Sequence, residues 1–316
     1  MQLDTVHGPL DGLPLPPGLA GLFVPPPAPV APLDVGFRAI DVEWAAEDRV
    51  LWCHMNTQEP PHFTPALLHE LIGLRQAVRR SIETPRSPEM TPRYFIFGSR
   101  TPGMFNLGGD LAFFAAAIRG RNREQLRSYA YDCVEAIYLN LGVGLPLTSI
   151  ALVEGDALGG GFEAALSFDV VIAERSAKLG LPEILFNLFP GMGAYSLLSR
   201  RMDAVRAERL ILSGRLYGAE ELHAMGLVDI VAEDGCGAIA AQDYIVANRR
   251  SHVTRQTLFG IRKMLNPISR EELRAVTDRW VEAAFSLGDQ DLRRMEQLTA
   301  AQRRRRRSAM QRVALV

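Results

Sequence analysis

The sequence predicts an α/β fold, and three observations predict it. Apolar runs of strand length recur through the middle of the chain, among them 50–55 (VLWCHM), 93–98 (RYFIFG), 148–153 (TSIALV) and 170–173 (VVIA). Between them lie stretches with helical spacing, such as 65–82, where Leu67, Leu68, Leu71, Leu74 and Val78 share one face behind Pro65. From about residue 237 onward the pattern is helical throughout.

Three segments follow in order. Residues 1–34 form a proline-rich arm, because the prolines and glycines crowded into 10–33 oppose both helix and ladder pairing. It is expected to be mobile or to lie across a partner subunit. Residues 35–236 form the core. A strand pair at 37–42 and 50–55 is followed by the helix 65–82, a proline-bearing loop, the strand 93–98 and a loop containing GMFNLGGDL. Helix is expected from 111 to about 140 with a break near Gly120. The strand 148–153 then leads through a turn at Glu154, Gly155 and Asp156 to a helix at 161–167. After the strand 170–173 come helices near 195–201 and 204–212. Residues 237–316 form a helical layer, and the arginines from Arg303 to Arg307 are expected to close its last helix in contact with solvent.

Composition narrows the function classes. Hydrophobic residues make up 47% and charged residues 22% of the 316, the balance of a soluble folded protein. A net charge of −1 gives no overall field toward nucleic acid or an anionic membrane, so neither is expected as a partner. The cysteines Cys53, Cys133 and Cys236 fit a reducing compartment better than a disulfide framework. No stretch has the length of a membrane span or the form of a leader peptide, which points to the cytoplasm. The six histidines show no ligand spacing, and neither nucleotide-binding glycine pattern is matched, so no metal or cofactor is expected.

Two glycine-rich turns and two glutamates carry the chemistry. Leu158, Gly159, Gly160 and Gly161 follow a buried strand and open a helix that bears Glu163; Gly108 and Gly109 again lie between a strand and a helix. Without side chains, such turns let a substrate approach the backbone closely, and free amides at a helix start face developing negative charge. Two loops offering amides are what an oxyanion hole requires. Glu183, in GLPEILFNLFPGMGAY, supplies a second carboxylate among apolar neighbours, where desolvation raises a carboxyl toward the acid/base range. No nucleophile elbow of the G-x-S-x-G type is present, so any hydrolysis would proceed through water.

The segments FNLGGDL, ALVEGDALGGGFEAALSFDVVIA, GLPEILFNLFPGMGAY and LSGRLYGAEELHAMGLVDIV resemble the crotonase, or enoyl-CoA hydratase/isomerase, superfamily in order and spacing. The resemblance implies a spiral of β-β-α repeats with a helical carboxy-terminal region, assembled as a trimer or hexamer. FNLGGDLAFF, LGGGFEAALS and LPEILFNLFPGMGAYS resemble in particular the bacterial synthases of diffusible signal factor, which dehydrate a 3-hydroxyacyl thioester on acyl carrier protein and release a cis-2-unsaturated fatty acid. Carried onto this sequence, the likeness makes Glu163 and Glu183 the acid/base pair and Gly109 and Gly160 the oxyanion donors. Gly108, Leu158, Gly159, Met192 and Trp280 become the expected substrate contacts, with Leu292 a further candidate for a tunnel wall. The same motifs also fit a hydratase or isomerase of coenzyme A esters. A catalytically silent member that binds a sensor kinase is the reading from another class, and the presence of both glutamates and both glycine turns argues against it.

Overall fold

A computed structural model describes residues 36–57, 61–85 and 87–313, the side chains of 302, 303 and 305–313 excepted. The proline-rich arm, 1–34, lies outside the described residues. The described residues begin with an antiparallel pair, β1 (Ile40–Ala45) and β2 (Val50–Met55), followed by α1 (Pro65–Glu83). Pro65 occupies the first turn of α1, and Thr64 Oγ1 caps it by accepting from Leu67 N–H at 3.2 Å.

Next come β3 (Tyr94–Ser99), β4 (Gly103–Asn106), α2 (Leu111–Arg119) and α3 (Arg123–Asn140); then β5 (Thr148–Val153), β6 (Gly155–Leu158) and α4 (Gly160–Leu166). The third round is β7 (Val170–Glu174), β8 (Lys178–Gly180), α5 (Ala194–Leu198) and α6 (Ala204–Ser213). It is followed by β9 (Leu216–Gly218), α7 (Ala219–Ala224) and β10 (Ile230–Ala232). Four helices complete the described residues: α8 (Gly237–Asn248), α9 (His252–Leu265), α10 (Arg270–Ala284) and α11 (Asp289–Val313).

The strand pairs sort themselves into two sheets. β3, β5 and β7 lie side by side and parallel in a six-stranded sheet of order β1-β2-β3-β5-β7-β10. Their successors β4, β6 and β8 do the same in a four-stranded sheet, with β9 antiparallel at its edge. Each β-β-α round thus adds one strand to each sheet and advances the spiral by one step. Apolar side chains on both faces make the central strands fully buried, as continuous runs such as TSIALV require. Phe97, Phe105 and Phe168 stack in the space between the sheets, with Phe97 parallel to Phe168 and edge-on to Phe105.

Three sequence expectations change. The loop containing GMFNLGGDL opens with a strand, and the turn at Glu154 to Asp156 is already β6 from Gly155 on. Both strands are four residues long, too short for alternation to show. The last helix does not stop at the arginine run; α11 continues to Val313.

Candidate active site

The second sheet positions the site. β4, β6 and β8 are parallel neighbours, and their carboxyl ends release three loops on one side: Leu107–Gly109, Gly159–Gly160 and Leu181–Glu183. Ligands in parallel sheets bind at this edge, where successive loops converge.

The first two loops touch. Gly108 has φ +89°, and a β-carbon there would stand 2.8 Å from Leu158 O and 3.0 Å from Gly160 N. Gly159 has φ 53° and ψ −124°, a conformation open to glycine alone, and any side chain on it would collide with Glu183 Oε1. Asn106, fully buried, fixes the first turn: its Oδ1 accepts from Gly108 N–H at 2.7 Å, and its Nδ2 reaches Met55 Sδ at 3.3 Å. With Gly108 N–H taken in this way, the next amide, Gly109 N–H, has no acceptor among the described residues. Gly160 N–H, at the start of α4, has none either.

Glu163 lies one turn into α4, 1% exposed. Its Oε1 accepts from Met192 N–H and Ala194 N–H, both at 2.8 Å. Burial pushes its carboxyl up to about 7, and the two amide bonds partly offset that rise. Glu183 opens a short 3-10 helix, Glu183–Phe186, and its Oε2 is buried with no hydrogen-bond partner. Burial, reinforced by the negative charge of Glu163, holds the Glu183 carboxyl well above the usual carboxylate range. The pair is therefore unequal: the proton resides on Glu183, and the charge falls on Glu163, where two N–H groups receive it.

Both carboxyls and both glycine turns line one cavity of about 220 Å³. Gly108, Leu158, Gly159, Met192 and Trp280 line it as well, whereas Gly161 faces away and packs on the backbone of Asn106. Leu292 does not; it is buried in the core, and α11 reaches the cavity through Leu298 and Ala301 instead. Trp280 of α10 lies against Gly191, where no side chain could fit, and meets Phe114 edge-on at 5.1 Å. Tyr129 and Cys133 of α3 complete the wall. The Tyr129 hydroxyl donates to Phe63 O and accepts from Asp110 N–H at 3.1 Å, bracing the loop that carries Gly109. Sequence reasoning did not single out Asn106, although its N-x-G spacing is the signal that could have found it; Tyr129, Cys133 and Leu298 sit in ordinary helical patterns that give no local signal of a cavity. Among the described residues no cluster of three or more His, Cys, Asp or Glu could hold a metal, and no helix is long and apolar enough to cross a membrane.

Known proteins resemble this chain. The profile of the enoyl-CoA hydratase/isomerase family matches residues 88–236, which contain both glycine turns and both glutamates. The probable enoyl-CoA hydratase echA17 of Mycolicibacterium paratuberculosis (strain ATCC BAA-968 / K-10) is 31% identical over 187 residues, 58% of this chain and 70% of the relative. This chain belongs to the enoyl-CoA hydratase/isomerase family. The mitochondrial methylglutaconyl-CoA hydratase of Mus musculus is 35% identical over 164 residues, 51% of this chain and 49% of that enzyme. Among solved structures, an enoyl-CoA hydratase of Bacillus halodurans shares the fold with a TM-score of 0.68 at 21% identity, covering 82% of this chain and 99% of that one. DspI of Pseudomonas aeruginosa aligns with a TM-score of 0.61 at 26% identity, covering 79% and 87%. The chain is thus an enzyme of the crotonase superfamily, and an acyl thioester suits its amide-lined apolar cavity.

Proposed function

We propose that this enzyme dehydrates a 3-hydroxyacyl thioester carried on acyl carrier protein and then hydrolyses the thioester, releasing a cis-2-unsaturated fatty acid that serves as a diffusible signal. The observation that carries the reading is the cavity itself. FNLGGDLAFF, LGGGFEAALS and LPEILFNLFPGMGAYS, the segments that resemble the signal synthases, supply both glycine turns, both glutamates and most of its walls.

In this reading Gly109 N–H and Gly160 N–H receive the thioester oxygen and stabilise the enolate. One carboxylate removes the Cα proton while the other carboxyl protonates the departing 3-hydroxyl, which leaves as water. A second water, deprotonated by the ionised member of the pair, then attacks the carbonyl; the thiol leaves with a proton, and the free acid remains. The resting distribution, with Glu183 protonated and Glu163 ionised, suits the addition of water directly: Glu163 takes a proton from water and Glu183 supplies Cα. Dehydration runs the same steps backwards from the tautomer with the proton on Glu163. That tautomer is within reach because the Glu163 carboxyl titrates near 7.

That same distribution favours a second reading, a hydratase of coenzyme A esters, in keeping with the names of the relatives. Mass spectrometry separates the two. Purified protein incubated with 3-hydroxyacyl carrier protein should release free cis-2-enoic acid, and the Glu163→Gln, Glu183→Gln variant should release none. Reversible hydration of an enoyl-CoA with no free acid formed would replace the first reading with the second.

A further inference from the structure

Behind the catalytic cavity, on the far side of Met192, lies a second and much smaller one. It measures about 10 Å³, and Met192 belongs to the walls of both. Its other walls are mostly hydrocarbon and aromatic, with Phe63, Phe95 and Phe97 prominent; Asn140 adds one polar side chain, and Arg75 of α1 brings the one charged group.

Arg75 is 4% exposed. Its Nη2 donates to Leu139 O at 3.1 Å and Asn140 O at 3.3 Å, closing the carboxyl end of α3, and its guanidinium lies 4.3 Å over the Phe95 ring. Nε and Nη1 are buried and find no acceptor. No carboxylate forms an ion pair with it among the described residues. Asp169, the acid whose charge acts on it most, is 2.7 Å from Lys263 Nζ and accepts from Ser149 N–H and Oγ–H through its other oxygen. Burial lowers the Arg75 guanidinium to about 10, the response of a cation whose charge is poorly compensated.

We infer that this cavity is a site for a single small monovalent anion of the halide class, held by Arg75 Nε–H and Nη1–H against the edges of the surrounding phenylalanines. Charge and the donor set select it, and size limits it to one small guest. A cavity of roughly 10–15 Å³ admits a single guest of about the size of a water molecule, so size limits the guest to one small ion and excludes a polyatomic acid. The unsatisfied groups are all donors. A halide only accepts and so satisfies them while also neutralising the guanidinium, whereas a water molecule could occupy the donors but would leave the charge uncompensated. The positive edges of aromatic rings add to the attraction. An unpaired buried cation is costly, and a bound anion relieves that cost without entering the chemistry next door.

The test uses the full-length protein. Crystals soaked in bromide should show an anomalous peak beside Arg75 Nε and Nη1. The Tm should rise by several degrees as chloride replaces gluconate at constant ionic strength, and this anion-specific rise should vanish in Arg75→Met. A water in that position with no anomalous signal, or a Tm that follows ionic strength alone, overturns the inference. If Arg75→Met does not fold, the bromide map of the unaltered protein still decides the matter.

Discussion

At the scale of single residues, Glu163 makes a prediction with a sign. Its carboxyl binds a proton more tightly in the folded protein than in the unfolded chain, where it has the ordinary glutamate value. Between that value and about 7 the native state holds the extra proton, so stability is greatest below the range and falls as pH rises through it. Glu163→Gln keeps an oxygen for Met192 N–H and Ala194 N–H and removes the charge. The variant should therefore melt higher than the parent at pH 8 and nearly equal to it at pH 4, with a gain of up to about 3 kcal/mol by chemical denaturation. Turnover should be lost at both. The unequal pair also shapes the rate profile: kcat/KM should fall on the acid side near pH 7 as Glu163 gains its proton, and fall again at higher pH when Glu183 loses its own. A flat profile across the acid range, measured on a non-sticky substrate, would remove Glu163 from the chemistry.

At the scale of elements, the turn between β4 and α2 is held by Asn106, a side chain in the rung and not in the cavity. Asn106→Ala should lower kcat by about 100-fold, the order associated with a displaced oxyanion donor, and raise KM much less. Circular dichroism should show the helices intact. An equal loss through KM alone would mean that the turn binds substrate without serving the transition state. These elements also show what could be read in advance. The runs 50–55, 148–153 and 170–173 announce themselves because strands buried on both faces are apolar at most positions, with only His54, Thr148 and Ser149 interrupting. β4, β6, β8 and β9 are three or four residues long and glycine-bearing, so neither alternation nor β-propensity marks them, and the second sheet went unread. The glycine turns were legible for the opposite reason. Gly108 and Gly159 must be glycine, and that requirement is written in the sequence.

For the whole molecule, the cavity is closed by parts that are far apart in the chain: Tyr129 and Cys133 from α3, Trp280 from α10, and Leu298 from α11. Nothing local in the sequence joins them, and only the packing of helices on the spiral does. The largest of these side chains, Trp280, is 4% exposed and bears on Phe114. Trp280→Ala should lengthen the acyl chain at which kcat/KM is greatest, measured over a homologous series, and should destabilise the fold by roughly 3–5 kcal/mol as a large buried side chain is lost. An unchanged chain-length optimum would place the acyl tail elsewhere.

The spiral separates two kinds of inheritance. Its rungs, such as the close crossing where Gly155 lies on the backbone of Gly103, answer only to geometry, and each must match the rung before it. Its tips, Leu107–Gly109, Gly159–Gly160 and Leu181–Glu183, answer to a substrate and make few demands on the rungs beneath. A lineage built this way can exchange one reaction for another by rewriting a few tip residues on an unaltered ladder. One step of the ladder lost would dismantle every reaction at once, because the three tips meet only when three successive rounds are stacked.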